Sequence, residues 1–170
     1  MASATIPIVP SSIQSRFDII SGREKCSLRL IASDGSVRFG FGALRTEPLR
    51  QSFVSRAAWE LGTYYRSWRL CRQSSILCGG LDPLDSIDGC QHELDCQDFG
   101  FFHGIVHLSA FDLRVLFSDD LCLDVFGCIG TDDEIFHLFC PDNWVITYSN
   151  GKGWLQGPSN KPWTATHDSQ

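Results

Sequence analysis

Long apolar runs are missing from this 170-residue sequence: none approaches the roughly 20 residues that a membrane-crossing helix needs. Residues 1–10 carry no basic segment leading into a continuous apolar core, so no secretion signal is expected there. Those two absences predict a cytoplasmic protein, away from membranes, whose 8 Cys stay reduced. Cys26 and Cys122 lie in strand-like runs and Cys71 follows Leu70, positions where a free thiol packs as a small apolar group. Export would instead turn the even cysteine count into a plausible disulfide framework.

Catalytic signatures are absent too. The sequence holds no G-x-S-x-G elbow and no other nucleophile signature. Gly79-Gly80 lacks a following Lys-Ser or Lys-Thr, and Gly151-Lys152-Gly153 reads as the turn before Trp154, not as a phosphate loop. A chain that is not an enzyme and uses no cofactor is therefore expected.

Cations are scarce in one half only. Residues 1–80 hold 11 Arg and Lys against 5 acids, a net +6, whereas residues 81–170 hold 3 against 15, a net −12. Such a partition argues for an interaction surface and against a nucleic-acid partner, which the second half would repel. The arginines Arg45, Arg50, Arg56, Arg66, Arg69 and Arg72 either hold an anion or pair with those acids.

What the chain does have is ordinary globular content, 43% hydrophobic and 20% charged, with 12 Phe and 5 Trp that suit pleated surfaces. A chain of this size buries roughly 70% of its unfolded surface and needs no staple. Leu28 and Leu30 alternate with polar neighbours before Ser33-Asp34-Gly35, and Val37, Phe39 and Phe41 alternate after it. Alternation about an Asp-Gly predicts a hairpin. Leu113-Arg114-Val115-Leu116 and Ser118-Asp119 align without a gap on Leu28-Arg29-Leu30-Ile31 and Ser33-Asp34, and Leu121, Leu123 and Val125 continue the pattern.

Each hairpin is followed by a second aromatic pair of segments. Trp59-Glu60-Leu61 leads to Trp68-Arg69-Leu70, and Phe136-His137-Leu138 leads through a turn at Pro141-Asp142-Asn143 to Trp144-Val145-Ile146. The expected architecture is α+β and predominantly antiparallel β: one domain over residues 1–170, with two related hairpin-rich halves, 26–78 and 103–157. An acidic, Gly- and Asp-rich connector, 79–100, joins them. One short helix is expected over 47–57, where Thr46 can cap, Pro48 suits the first turn, and Leu49, Phe53 and Ala57 share a face. Residues 1–12 and 157–170 read as loose ends.

Two groups of side chains invite chemistry. Cys90, His92, Cys96, His103 and His107 are candidate metal ligands, but C-x-H-x3-C followed by H-x3-H matches no common zinc spacing. His103 and His107 fall in a strand-like run, where positions four apart share a face yet stand ~13 Å apart. No metal site is expected. The acids Asp82, Asp85, Asp88, Glu93, Asp95 and Asp98 line the connector, and Asp132, Asp133 and Glu134 form a compact run. They make either a solvated surface or a docking patch for a basic protein, whose encounter they would speed. Phe99, Phe101 and Phe102 are candidate anchors beside that patch, or core.

The run Phe111 to Leu121, followed by the hairpin through Trp144, resembles small bacterial domains found beside polymorphic toxins. There an aspartate-leucine strand, a turn and a second strand precede an aromatic-rich hairpin. The likeness covers mainly residues 103–155 and more faintly 26–72. Those domains are immunity proteins, which bind and block a cognate toxin. The resemblance implies a cytoplasmic, non-enzymatic inhibitor of a basic toxic enzyme; it implies no site residues, because such proteins recognise toxins through variable surfaces. A metal- or small-ligand-binding protein using the Cys/His segment, and a self-associating structural module, are the alternative readings.

Overall fold

The alternating segments become strands, and they sort into two sheets. In a computed structural model, residues 7–49, 52–83, 87–128, 130 and 133–160 are described. They form α1 (Ser11–Ile20), β1 (Cys26–Ile31), β2 (Val37–Leu49), β3 (Ser52–Thr63), β4 (Trp68–Arg72), β5 (Ser75–Gly79) and α2 (Ile87–Cys96). Then follow β6 (Phe102–His107), β7 (Leu113–Phe117), β8 (Leu121–Val125), β9 (Glu134–Phe139), β10 (Trp144–Ser149) and β11 (Gly153–Pro158). One sheet runs β1-β2-β3-β9-β10-β11 and the other β5-β4-β8-β7-β6, with every pairing antiparallel. An α+β, antiparallel-β fold is what the sequence predicts. No helix among the described residues is long and apolar enough to cross a membrane.

The inward residues of each strand meet across the gap between sheets. Phe39 and Phe41 of β2 contact Phe117 of β7 at 5.4 and 6.2 Å between ring centroids, and Phe41 meets Phe102 of β6 at 5.7 Å. Such tilted, stacked and edge-on aromatic pairs add to the apolar burial that drives sandwich packing. Both helices close the sandwich. From α1, Phe17 packs against Phe102 and Trp154. From α2, buried Leu94 joins the same core, while Gln91 accepts the Ile31 N–H and Arg29 donates to the Gln97 carbonyl. The helix thus lies along β1, running from its Ile31 end back toward Cys26.

Three expectations are corrected. The helix expected over 47–57 is strand at its described residues, 47–49 and 52–57: β2 and β3 continue as a two-stranded arm, with Leu44 opposite Ala57 and Pro48 opposite Phe53. The ladder already closed at 38–41 extends at no new nucleation cost, whereas an isolated helix of about three turns must nucleate by itself. Helices form instead within the connector 79–100, read as a loop, and over Ser11–Ile20, which begins in the loose start 1–12 and runs on through residues given no element. Trp59 and Trp68 do not belong to one hairpin either, since β3 and β4 enter different sheets.

The wiring recurs nonetheless. A helix, a three-strand meander and a hairpin laid into the opposite sheet occur as α1, β1-β2-β3, β4-β5 and again as α2, β6-β7-β8, β9-β10, with seams at β3–β9 and β4–β8. This order sets the β1–β2 hairpin against β6–β7, one strand away from the alignment on β7–β8 that the sequence suggests.

Candidate functional site

At one end of the sandwich a four-residue link, 64–67, joins β3 to β4 and gathers acidic segments distant in sequence. Thr63 sets it in place: its hydroxyl accepts the Val37 N–H at 3.1 Å and donates to the Tyr65 carbonyl at 3.0 Å. Tyr64 then lies beside Glu134, Tyr65 Oη donates to Asp133 at 3.1 Å, and Arg66 donates to the carbonyls of Gly80 and, at 2.7 Å, Asp82. Burial first, and then the adjoining carboxylate, raise the pKa of each tyrosine. Gly80 is required for this closure. A Cβ there would fall 2.1 Å from the Arg66 carbonyl oxygen.

The β1–β2 turn belongs to the same end, because Trp68 Nε1 donates to the Gly35 carbonyl at 2.8 Å. Asp34 in that turn accepts from the Ser36 N–H and hydroxyl, which holds its pKa below the usual carboxylate range. Asp82 accepts from the Gly79 N–H and the Cys90 thiol. Asp133 and Glu134 therefore lie against the two tyrosines of the link, and the segments that carry Asp34 and Asp82 adjoin it through Trp68 and Arg66. Tyr64 is 43% and Leu81 77% exposed, so apolar surface stands among the charges.

The remaining acids named from the sequence are distributed differently. Asp88 and Asp95 are exposed along α2, and Glu93 is half-buried there beside Gln97. Asp98 follows the helix at the opposite end of the sandwich, accepting the Gly100 N–H. Asp85 and Asp132 lie outside the described residues, as does Arg50. Among the described residues the ion pairs are Arg16–Asp142, Arg56–Glu47, Arg56–Glu60, Arg69–Asp124 and Arg114–Asp124. None of these engages Asp82, Asp88, Glu93, Asp95 or Asp98. Phe99 and Phe102 are core, each 0% exposed, and Phe101 is half-buried under Lys25, so two of the three candidate anchors belong to the core.

The Cys/His segment does not converge. A bulge between Phe102 and Gly104 places His103 and His107 on different faces, not on one. His103 reaches Ser118 outside, whereas His107 turns inward and accepts from Trp154 Nε1 at 3.0 Å. Cys90 is buried against Cys78, and Cys96 faces His92 at 3.6 Å. Among the described residues no three His, Cys, Asp or Glu side chains could share a metal ion.

Beside the acidic end, the outer face of the six-stranded sheet carries a groove of about 320 Å³. Its floor is Gly62, with Arg38 opposite on β2 and His137 opposite on β9. His137 leans over the glycine, since a Cβ on Gly62 would lie 2.5 Å from its Nε2, and Tyr64 packs on the imidazole at 4.6 Å. Burial and the positive charge of Arg38 lower the His137 pKa to about 4, so the ring is neutral near pH 7. Sequence reading missed Arg38, Gly62, Tyr64 and His137, because nothing local marks residues that only strand pairing brings together.

No family model matches the chain, and neither the curated proteins nor the solved structures give a match.

Proposed function

We propose that the protein is a cytoplasmic, non-enzymatic inhibitor of the immunity type, which docks a basic protein partner on its acidic end. The observation that carries this reading is the Tyr64–Tyr65–Arg66 link, which draws Asp82, Asp133 and Glu134 around exposed Tyr64 and Leu81. Charge speeds encounter and rejects wrong partners, while an aromatic anchor supplies the apolar contact that lowers the off-rate. The exposed carboxylates of Asp88 and Asp95 extend the negative surface along α2. The recurring wiring of the two halves supports an origin by duplication, with the acidic end built where the halves join.

The test starts from the purified chain as bait in a lysate of its source cells, followed by reconstitution with the captured protein. A 1:1 complex should form with a basic partner that arrests growth when expressed alone and is tolerated when this chain is co-expressed. Association should slow as salt rises. The double variant Asp82→Lys, Glu134→Lys should slow it at low salt by about tenfold or more. An unchanged association rate in that variant removes the acidic end from the account, and continued growth arrest on co-expression removes the inhibitor reading.

A further inference from the structure

No ion pair or hydrogen bond engages the Arg38 guanidinium among the described residues, and its Nε is buried without a partner. An arginine in that state is costly to keep half-buried, because a charge taken from water needs a counter-charge or acceptors in exchange. Arg69 and Arg114 share Asp124, Arg66 takes two carbonyls and Arg16 takes Asp142, whereas Arg72 Nε, like that of Arg38, is buried without a partner but lies outside this groove. Asp34 lines the same groove yet makes no ion pair with Arg38, its carboxylate being bonded to Ser36 instead.

The groove's second polar group points the same way. Arg38, Gly62 and His137 stand in one register row across β2, β3 and β9. The imidazole occupies the space that a side chain on Gly62 would need, and Nε2 is the ring atom nearest that position, at 2.5 Å. Its Nδ1 is buried and unpartnered. A buried orphan donor is rarer than an under-used acceptor, which favours the proton on Nε2, where it is available as a donor into the groove.

We propose that this groove binds a carboxylate, held by the guanidinium of Arg38 and the Nε2–H of His137. One positive charge beside a neutral imidazole, with Asp34 and Glu134 nearby, suits a monoanion and disfavours a phosphate dianion. The planar guanidinium fork matches a carboxylate in geometry. Leu30 and Ala32 on the lining and the Tyr64 ring favour a short apolar body attached to it. The volume of about 320 Å³ accommodates a small acid or the carboxyl end of a peptide. This site shares Tyr64 with the proposed docking surface but rests on a cation and not on the acidic residues.

The experiment follows amide and imidazole resonances of the full chain during titration with sodium butyrate, with inorganic phosphate, and with a tripeptide ending in leucine whose carboxyl is either free or amidated. Butyrate or the free-ended tripeptide should shift Gly62, Thr63 and His137 saturably in the millimolar range, and the amidated tripeptide should not. Tighter binding of the free-ended tripeptide assigns a peptide carboxyl as the source; tighter binding of butyrate assigns a free acid. Arg38→Gln should weaken the effective probe about tenfold or more, and Arg38→Lys should fall between, since charge survives without the fork. Arg38→Gln should melt at or above the wild-type temperature. No saturable shift from either carboxylate, tighter binding of phosphate, equal affinity in both variants, or a lowered melting temperature in Arg38→Gln would each overturn the assignment.

Discussion

Arg114 Nε donates to Asp124 Oδ1 at 2.6 Å, and the aspartate it grips has a side chain 0% exposed to solvent. Arg69 reaches the other oxygen from the opposite neighbouring strand at 2.9 Å, in register with both. The hydrogen bonds and charge of Asp124 raise the Arg114 pKa. One buried carboxylate thus staples β4, β8 and β7 on their outer face. Asp124→Asn should leave two guanidiniums without their shared counter-charge and lower stability by about 3–5 kcal/mol, read from the denaturant midpoint. A change below about 1 kcal/mol would show the network to be dispensable.

Acid should destabilise the protein through His137. Its folded pKa, about 4, lies below the ordinary value of 6.5, burial being the larger cause and Arg38 the second. The unfolded chain therefore binds a proton between those pH values that the folded chain does not. Stability is full above pH 6.5 and declines toward pH 4, with a contribution of up to about 1.4 kcal/mol per pH unit. Burial lowers the pKa of His107 as well, in the same sense. Melting temperatures from pH 7 to 4 should fall less steeply for His137→Phe than for the native chain; parallel curves would rule the residue out as a source.

Thiol reactivity should divide the 8 cysteines sharply. Cys96 and Cys128 are exposed, whereas Cys71, Cys78, Cys90, Cys122 and Cys140 are buried. Burial pushes Cys78 up to about 12 and Cys26 and Cys140 up to about 11, which leaves little thiolate near neutral pH. A disulfide reagent should modify two thiols quickly in the folded protein and the rest only on unfolding. Rapid modification of Cys78 or Cys122, located by mass spectrometry, would contradict the packing of β5 on α2 or of β4 on β8.

Strands were legible wherever alternation met a turn signal. The hairpin about Asp34-Gly35 and the turns at Ser118–Asp120 and Pro141–Asn143 form where expected; Gly35 has φ 80°, and Asp119, Asp120 and Asn143 have φ between 56° and 61°. The arm of 44–49 and 52–57 reads as a helix in sequence because apolar residues spaced by four fit a helix face as well as a strand, and only the β2–β3 ladder decides between them. For α2 the cue was hidden by Asp and Gly at its start, although Cys90 and Leu94 sit one turn apart on its buried side.

The carboxylates were visible as residues but not as a site. Asp82 and Glu134 are brought to one link by Tyr64 and Arg66, while Asp98, close to Asp82 in sequence, is carried to the far end by α2. Composition and local pattern by themselves determined that this chain is β-rich, antiparallel and electrically divided, because side-chain periodicity and turn geometry act over a few residues. Which strands share a sheet, which acids meet, and that Arg38 faces His137 across Gly62 were decided by the tertiary structure. Those pairings come from burying apolar faces against distant segments, and no short window of sequence contains both partners.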